Sequence, residues 1–194
     1  REDKMSQWTV LKFGGSSLKN THRLAQVFQI IHRQRSQTPV AVVVSAPGDL
    51  TNRIIGLAQL AESGKNYELT EAMVDLREYL HEHLGILDED VLAWMNKTLD
   101  SLNDYLHGVQ ILGECTPRIA DELMSYGERI SSHVVASGLR TAGVKARATD
   151  ARDFLRTDSR HGEATVDRHH TQAAIANLAE SWYDFVPVIT GFIG

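Results

Sequence analysis

Two short apolar runs, each ending abruptly at a glycine-containing turn, constrain the fold of this chain most. The first run, residues 8–13 (WTVLKF), stops at Gly14, and the second, residues 39–46 (PVAVVVSA), stops at Pro47. Between them, apolar residues recur at helical spacing over residues 24–31. Continuous apolarity is typical of strands buried on both faces of a parallel sheet, and strand–helix–strand forms a right-handed crossover unit. The sequence therefore predicts an α/β fold in which both strands are buried.

The rest of the chain alternates in the same manner. Apolar residues at steps of three or four predict helices over residues 69–84 and 92–106, which would form a helical excursion from the sheet. Another helix is expected to open at Thr116, an N-cap followed by proline. Residues 144–148 are predicted to be a strand and residues 185–189 a last buried strand, although Pro187 argues against that assignment. These elements predict one α/β domain.

Composition excludes several functional classes. Hydrophobic residues make up 42% of the 194 residues, which is enough for a sizeable core, and no apolar run reaches the length that spans a bilayer. The net charge of −5 offers no polybasic surface to nucleic acid or to a membrane. Cys115 is the only cysteine, so an internal disulfide is impossible. We therefore expect a cytoplasmic protein with neither nucleic-acid nor membrane partners.

Residues 12–17 (KFGGSS) are the strongest candidate binding segment, at the junction of a strand with a helix. Glycines let backbone N–H groups approach an anion, and a helix N-terminus attracts negative charge. Lys12 adds a positive charge and Ser16 a hydroxyl, a set that suits a transferring phosphoryl group. Because the lysine precedes the glycines, this is not a Walker A loop. A glycine turn that merely ends a strand, with Lys12 solvated, explains the segment equally well.

Two other segments contain candidate site residues. Ser45 and Thr51 follow the second strand, so in a parallel sheet they would lie at the same edge as Gly14. Taken alone, a capped turn is the simpler interpretation of that segment. Glu128 lies beside Gly127 in an otherwise good helix, where glycine costs about 1 kcal/mol relative to alanine. Its carboxylate could bind an ammonium group, but a surface ion pair beside a helix contact is again the simpler interpretation.

Together, these segments resemble the aspartate kinases of the amino-acid kinase family, and the resemblance covers almost the whole chain. Its markers are VLKFGGSS at 10–17, SAPGDLTN at 45–52, SYGERISS at 125–132, TDARDFLRTD at 149–158 and VITGFIG at 188–194. The first and third markers, in this order and at this spacing, are specific. Ser16 stands where the family's first motif usually has threonine, a difference that keeps the hydroxyl.

The resemblance implies a three-layer α/β/α sandwich with a mainly parallel sheet. It also implies transfer of the γ-phosphoryl of ATP to the β-carboxylate of L-aspartate, the first step toward lysine, threonine and methionine. Lys12 would be the catalytic residue that stabilises the phosphoryl group. The ATP- and phosphate-binding residues, by motif position, would be Lys12, Phe13, Gly14, Gly15 and Ser16. The substrate-binding residues would be Ser45, Thr51 and Glu128, with Glu128 on the ammonium.

In the family, a glycine-rich turn after the last marker leads to an arginine and an aspartate that help to organise substrate and metal. The adenine-binding and regulatory segments also follow. Residues 1–194 are therefore expected to be the N-terminal portion of one catalytic domain, incomplete at the C-terminus, with ATP and Mg²⁺ bound mainly by downstream residues. No metal ligand is predicted here.

Three further expectations follow from this interpretation. The parent protein is expected to be a homo-oligomer, and residues 1–194 alone are expected to be inactive. The final strand, residues 185–189, is expected to form an uncovered apolar edge that promotes association. Two alternatives remain open: a family member that acts on glutamate, acetylglutamate or a nucleotide, and a non-catalytic binding or assembly module.

Overall fold

A computed structural model describes residues 8–85, 88–158 and 160–192. Residues 1–7 and the last two residues of the VITGFIG segment lie outside this part. Within it, four strands form one parallel sheet in the order β1-β2-β4-β3. The strands are β1 (Thr9–Phe13), β2 (Val40–Val44), β3 (Ala146–Thr149) and β4 (Val186–Thr190). The mixed helix–strand architecture and the parallel sheet confirm the predicted α/β class.

Helices cover the two faces of the sheet unequally. The helices are α1 (Thr21–Arg35), α2 (Leu50–Glu62), α3 (Asn66–Leu84), α4 (Glu89–Leu112), α5 (Pro117–Thr141) and α6 (Arg168–Ala179). Helices α1 and α5 pack on the inner face, and α2, α3 and α4 stack beyond α5. Of these, α3 and α4 are the predicted helical excursion. Short 3-10 helices occupy Gly15–Ser17, Ala151–Asp153 and Ser181–Asp184. One face is therefore thickly covered, whereas α6 lies on the other.

The ends of the long helices follow from local chemistry. Thr116 caps α5 by accepting a hydrogen bond from the Ile119 N–H at 3.4 Å, and Pro117 occupies the first turn, as predicted. Helix α3 ends at Gly85, whose φ of +75° is a conformation that residues with a side chain rarely adopt. Inside α5, Gly138 leaves room for the Phe28 ring of α1. Glycine therefore both ends a helix and brings α1 close to α5.

The inner face of the sheet holds the main core. Phe13, Val42, Val44 and Val188 are all buried there, together with apolar side chains from α1 to α5. Burying each such side chain contributes about 1.5–3 kcal/mol relative to leaving it in water. This core fixes α5 against the sheet, which positions the residues described below.

The outer face departs from the prediction of strands buried on both sides. Helix α6 and the 3-10 helix Ser181–Asp184 cover part of it, around the buried Phe154 and Trp182. In β1, however, Val10 is 64% exposed and Lys12 is exposed as well. The prediction that β1 is buried was wrong, because β1 is an edge strand and an apolar run does not distinguish an edge strand from a central one.

Strand β4 lies between β2 and β3, so the expectation of an uncovered apolar edge at residues 185–189 was also wrong. The edges of the described sheet are β1 and β3. Pro187 is tolerated in a central strand because the ladder with β2 starts one residue later, where Val42 pairs with Val188. On the other side, Pro187 pairs in register with Arg147 of β3.

Candidate functional site

The carboxyl ends of β1 and β2 bring two of the predicted segments into direct contact. The Ser45 N–H donates to the Phe13 carbonyl at 3.1 Å, and the Gly48 N–H donates to the Gly15 carbonyl at 3.0 Å. These bonds continue the pairing of the strands beyond the sheet. The glycine loop after β1 (residues 14–17) and the turn after β2 (residues 45–49) therefore form one continuous ridge. It lies at the edge where parallel sheets bind ligands.

Two glycines allow this ridge to pack closely around Ala46. A Cβ atom on Gly15 would lie 2.5 Å from the Ala46 carbonyl oxygen. A Cβ atom on Gly127, in α5, would lie 2.6 Å from the Ala46 Cβ atom and 3.8 Å from Thr51 Oγ1. Real Cβ atoms do not approach backbone so closely. The mid-helix glycine therefore serves the contact of α5 with the turn after β2, rather than leaving space for a ligand.

Glu128 is the charged residue that this contact buries. Only 6% of it is exposed, and its Oε1 accepts hydrogen bonds from the Ala46 N–H at 3.1 Å and from Ser45 Oγ at 3.5 Å. Burial raises the pKa of the Glu128 carboxyl, against the opposing effect of the hydrogen bonds from Ala46 and Ser45. In the described part of the chain, no Lys, Arg or His side chain forms an ion pair with this carboxylate. The arrangement suits a cationic ligand group.

Lys12 and the start of the glycine loop are open by comparison. Lys12 is exposed on the outer face of β1 and, in the described ranges, makes neither an ion pair nor a hydrogen bond. No atom lies within 4 Å of the position that a Cβ on Gly14 would occupy, and its φ of −80° suits any residue. Ser16 is exposed too. This end of the ridge offers a free ammonium and unobstructed backbone to an anion.

The predicted site residues therefore fall into two groups. Ser45, Thr51 and Glu128 form the first group and surround the contact at Ala46. Lys12 belongs to the second group and makes no ion pair with Glu128. The side chain of Phe13 is buried in the main core and its carbonyl accepts from Ser45. That residue supports the loop, and any direct contact of Phe13 with a phosphate stays a prediction.

Sequence reasoning missed a tyrosine that supports the same ridge. The hydroxyl of Tyr79, in α3, accepts a hydrogen bond from the Asp49 N–H at 3.3 Å. It also lies 2.5 Å from where a Cβ on Gly48 would be, and the φ of Gly48 is +57°. The Pro47-Gly48 pair signals a turn, but nothing in the sequence links Tyr79 to that turn. The contact arises only because α3 folds back over α2.

The described residues contain no group of three or more His, Cys, Asp or Glu side chains that could hold a metal ion. Likewise, no helix in this part of the chain is long and apolar enough to cross a membrane.

Comparison with known proteins relates this geometry to a family. Residues 7–194 match the profile of the amino acid kinase family. The chain is 33% identical to aspartokinase 1, chloroplastic, from Arabidopsis thaliana, over 95% of this chain and 33% of that relative. It is 29% identical to lysine-sensitive aspartokinase 3 of Escherichia coli, over 90% of this chain and 37% of that relative. The chain thus spans about a third of the length of these relatives.

A solved structure has the same architecture. The crystal structure of E. coli aspartokinase III in complex with aspartate and ADP superposes with a TM-score of 0.83 at 25% identity. The match covers 94% of this chain and 40% of that one. The predicted amino-acid-kinase architecture is therefore confirmed.

Proposed function

Because this chain belongs to the amino acid kinase family, we propose that the protein carrying it is an ATP-dependent aspartokinase. It transfers the γ-phosphoryl of ATP to the β-carboxylate of L-aspartate. The support is the similarity to aspartokinases of a plant and a bacterium, and the relative whose crystal structure contains aspartate and ADP. This phosphorylation would be the first step toward lysine, threonine and methionine.

The burial of the Glu128 carboxylate without an ion-pair partner in the described residues is the observation that supports the proposal. A buried carboxylate without a cation is costly, and its burial raises the pKa of the group. An α-ammonium beside it would supply the missing charge through a charge-assisted hydrogen bond. Ser45 and Thr51 lie next to Glu128 and would contact the polar groups of the same amino acid. The site therefore favours a zwitterionic substrate over a simple dicarboxylate.

Lys12 would act at the other end of the ridge. Negative charge is redistributed over the phosphoryl oxygens during transfer, and a fixed cation placed there stabilises the transition state. Gly14, Gly15 and Ser16 would bind the phosphate through backbone N–H groups and a hydroxyl. Lys12 is exposed and unpaired in the described chain, so its charge is available for this role.

The remaining features of the proposal concern the whole protein. Mg²⁺ would accompany ATP, and by the family resemblance both would be bound mainly by downstream residues of the whole protein. Homo-oligomerisation and a cytoplasmic location are part of the same proposal.

Trapping acyl phosphates with hydroxylamine tests the reaction and the acceptor together. The full-length protein is incubated with ATP, Mg²⁺ and hydroxylamine, and L-aspartate, L-glutamate and N-acetylglutamate are supplied in parallel. Nucleoside monophosphates, which form no acyl phosphate, are supplied in a separate assay that follows ADP release. Hydroxamate with L-aspartate alone supports the proposal. Preferential turnover of another acceptor would assign a different kinase, and no turnover with any acceptor would favour a binding or assembly module.

A further inference from the structure

A network of four charged side chains lies beside the candidate site, in the TDARDFLRTD segment and α5. Arg152 forms ion pairs with Asp150 at 2.7 Å and with Glu122 at 3.0 Å. Glu122 also pairs with Arg129 at 3.3 Å. The guanidinium of Arg152 makes further hydrogen bonds to both carboxylate oxygens of Asp150. The family resemblance assigned no role to these residues.

The network is partly shielded from water. The side chains of its four members are between 22% and 35% exposed. Burial raises the pKa of Asp150, but its hydrogen bonds to Arg152 and the nearby positive charge outweigh burial and leave the pKa below its usual value. Isolated surface pairs contribute little, whereas bidentate and networked pairs hold a defined geometry.

The network joins the carboxyl edge of the sheet to α5. Asp150 follows β3 directly, and the neighbouring Ala151 N–H donates to Thr190 Oγ1, at the end of β4, at 2.8 Å. Glu122 and Arg129 are seven residues apart, so they lie on one face of α5, about two turns from each other. Arg129 is adjacent in sequence to Glu128. Helix α5 therefore contacts this edge of the sheet at two places, Ala46 and Arg152.

The two contacts differ in their chemistry. At Ala46, contact depends on the close approach of Gly127 and on the hydrogen bond from the Ala46 N–H to Glu128. At Arg152, it depends on the ion pairs that join Asp150, after β3, to Glu122 on α5. A small displacement at the second place would move Glu128 relative to the Ala46 N–H, because a helix moves as a rigid body.

We propose that Arg152 is a positioning residue, which by linking Asp150 to Glu122 holds α5 where Glu128 meets the Ala46 N–H. In this proposal Arg152 acts through the helix, because its partners are Asp150 and Glu122. Its consequence for aspartate affinity rests on the proposed function, whereas its effect on the Glu128–Ala46 contact does not. If the ion pair were purely structural, removing it would lower stability without changing the aspartate affinity or the Glu128–Ala46 contact.

The test compares Arg152→Gln and Arg152→Lys with Arg77→Gln in the full-length protein. Arg77 is the matched control, since it also forms a cross-helix ion pair, with Asp100 at 2.8 Å, but on α3 and α4. Hydrogen–deuterium exchange of the peptide containing Ala46 reports the contact without requiring any activity. Steady-state kinetics then report its consequence for each substrate separately.

We expect Arg152→Gln to accelerate exchange at Ala46 and to raise the aspartate KM about three- to tenfold, with kcat and the ATP KM within about twofold. Arg152→Lys should restore part of the aspartate affinity, and Arg77→Gln should change neither readout. Glu122→Gln removes the same link from the other side and replaces Arg152→Gln if that variant does not fold.

Unchanged exchange at Ala46 in Arg152→Gln and Glu122→Gln would overturn the proposal, whatever the enzyme's activity. A fall in kcat with an unchanged aspartate KM would overturn it too, by indicating damage that is not specific to aspartate binding. A wild-type protein without aspartate turnover would refute the proposed function alone, and the exchange measurement would still decide the role of Arg152.

Discussion

Lys12 and Glu128 carry the opposite charges of the candidate site, and their surroundings differ as much as their signs. Lys12 lies on an exposed edge strand without an ion pair in the described chain. Glu128 lies in the close contact of α5 with the ridge, 6% exposed, and its carboxylate accepts a hydrogen bond from the Ala46 N–H. One charge is available because nothing covers it, and the other is retained although its burial is unfavourable.

This difference separates function from stability. Removing the Lys12 side chain deletes a solvated group, so the fold should not respond. Changes at Gly127 or Glu128 act on a closely packed contact that joins α5, β2 and the glycine loop, so they should alter stability as well as binding. The predictions below test that separation, beginning with the largest expected effect.

The largest effect is expected from Lys12→Ala, measured as kcat in the full-length protein. Loss of one electrostatic group at a developing charge lowers kcat by about 10²–10³. The melting temperature should stay unchanged, because Lys12 makes no ion pair among the described residues. Lys97→Ala, an exposed lysine on α4, is the matched control and should change neither quantity. Near-normal kcat in Lys12→Ala would remove the lysine from the mechanism.

The next effect concerns the packing of Gly127. Gly127→Ala should destabilise the protein, because overpacking costs about 1–3 kcal/mol and the gain in helix propensity is only about 1 kcal/mol. Gly108, in α4, isolates that gain, since no atom lies within 4 Å of its would-be Cβ. Gly108→Ala should stabilise by up to about 1 kcal/mol. Equal free energies of unfolding for the two variants, by urea titration, would show that α5 does not need this close approach.

The fold was predictable from the sequence in its order of elements but not in its lateral arrangement. Residues 8–13 and 39–46 look alike as apolar runs, yet β1 lies at an edge and β2 in the middle. Strand order depends on which elements pack together, and that information is spread over the chain. Pro187 argued against a central strand and was misleading, because the missing N–H falls where no ladder with β2 exists.

The candidate site was predictable where a residue is energetically unfavourable in its local secondary structure. A glycine inside α5 signalled a close approach at Gly127, and a charged neighbour signalled Glu128. The partner of that approach, Ala46, left no signal, nor did Tyr79 or the link between Arg152 and Glu122 thirty residues apart. Those contacts form between elements that meet only in the folded chain, so local patterns do not encode them.

A smaller effect is expected on the pH dependence of stability in Glu128→Gln. Burial raises the folded pKa of Glu128 above its unfolded value of 4.5, so the wild type loses stability as pH rises through the interval between the two values. Below pH 4 the variant and the wild type should be similarly stable, and at pH 7 the variant should be the more stable of the two. Melting temperatures measured across that range would contradict this if the variant were less stable only at pH 7.

The central claim is that Glu128 recognises the ammonium of an amino-acid substrate, and titration calorimetry with L-aspartate and succinate tests it most directly. Succinate keeps both carboxylates of L-aspartate and lacks the ammonium. The full-length wild type should bind L-aspartate more tightly than succinate. Glu128→Gln should lose that preference through weaker aspartate binding, while ATP affinity is unchanged. An equal preference in the two proteins, or a selective loss of ATP affinity, would contradict the account.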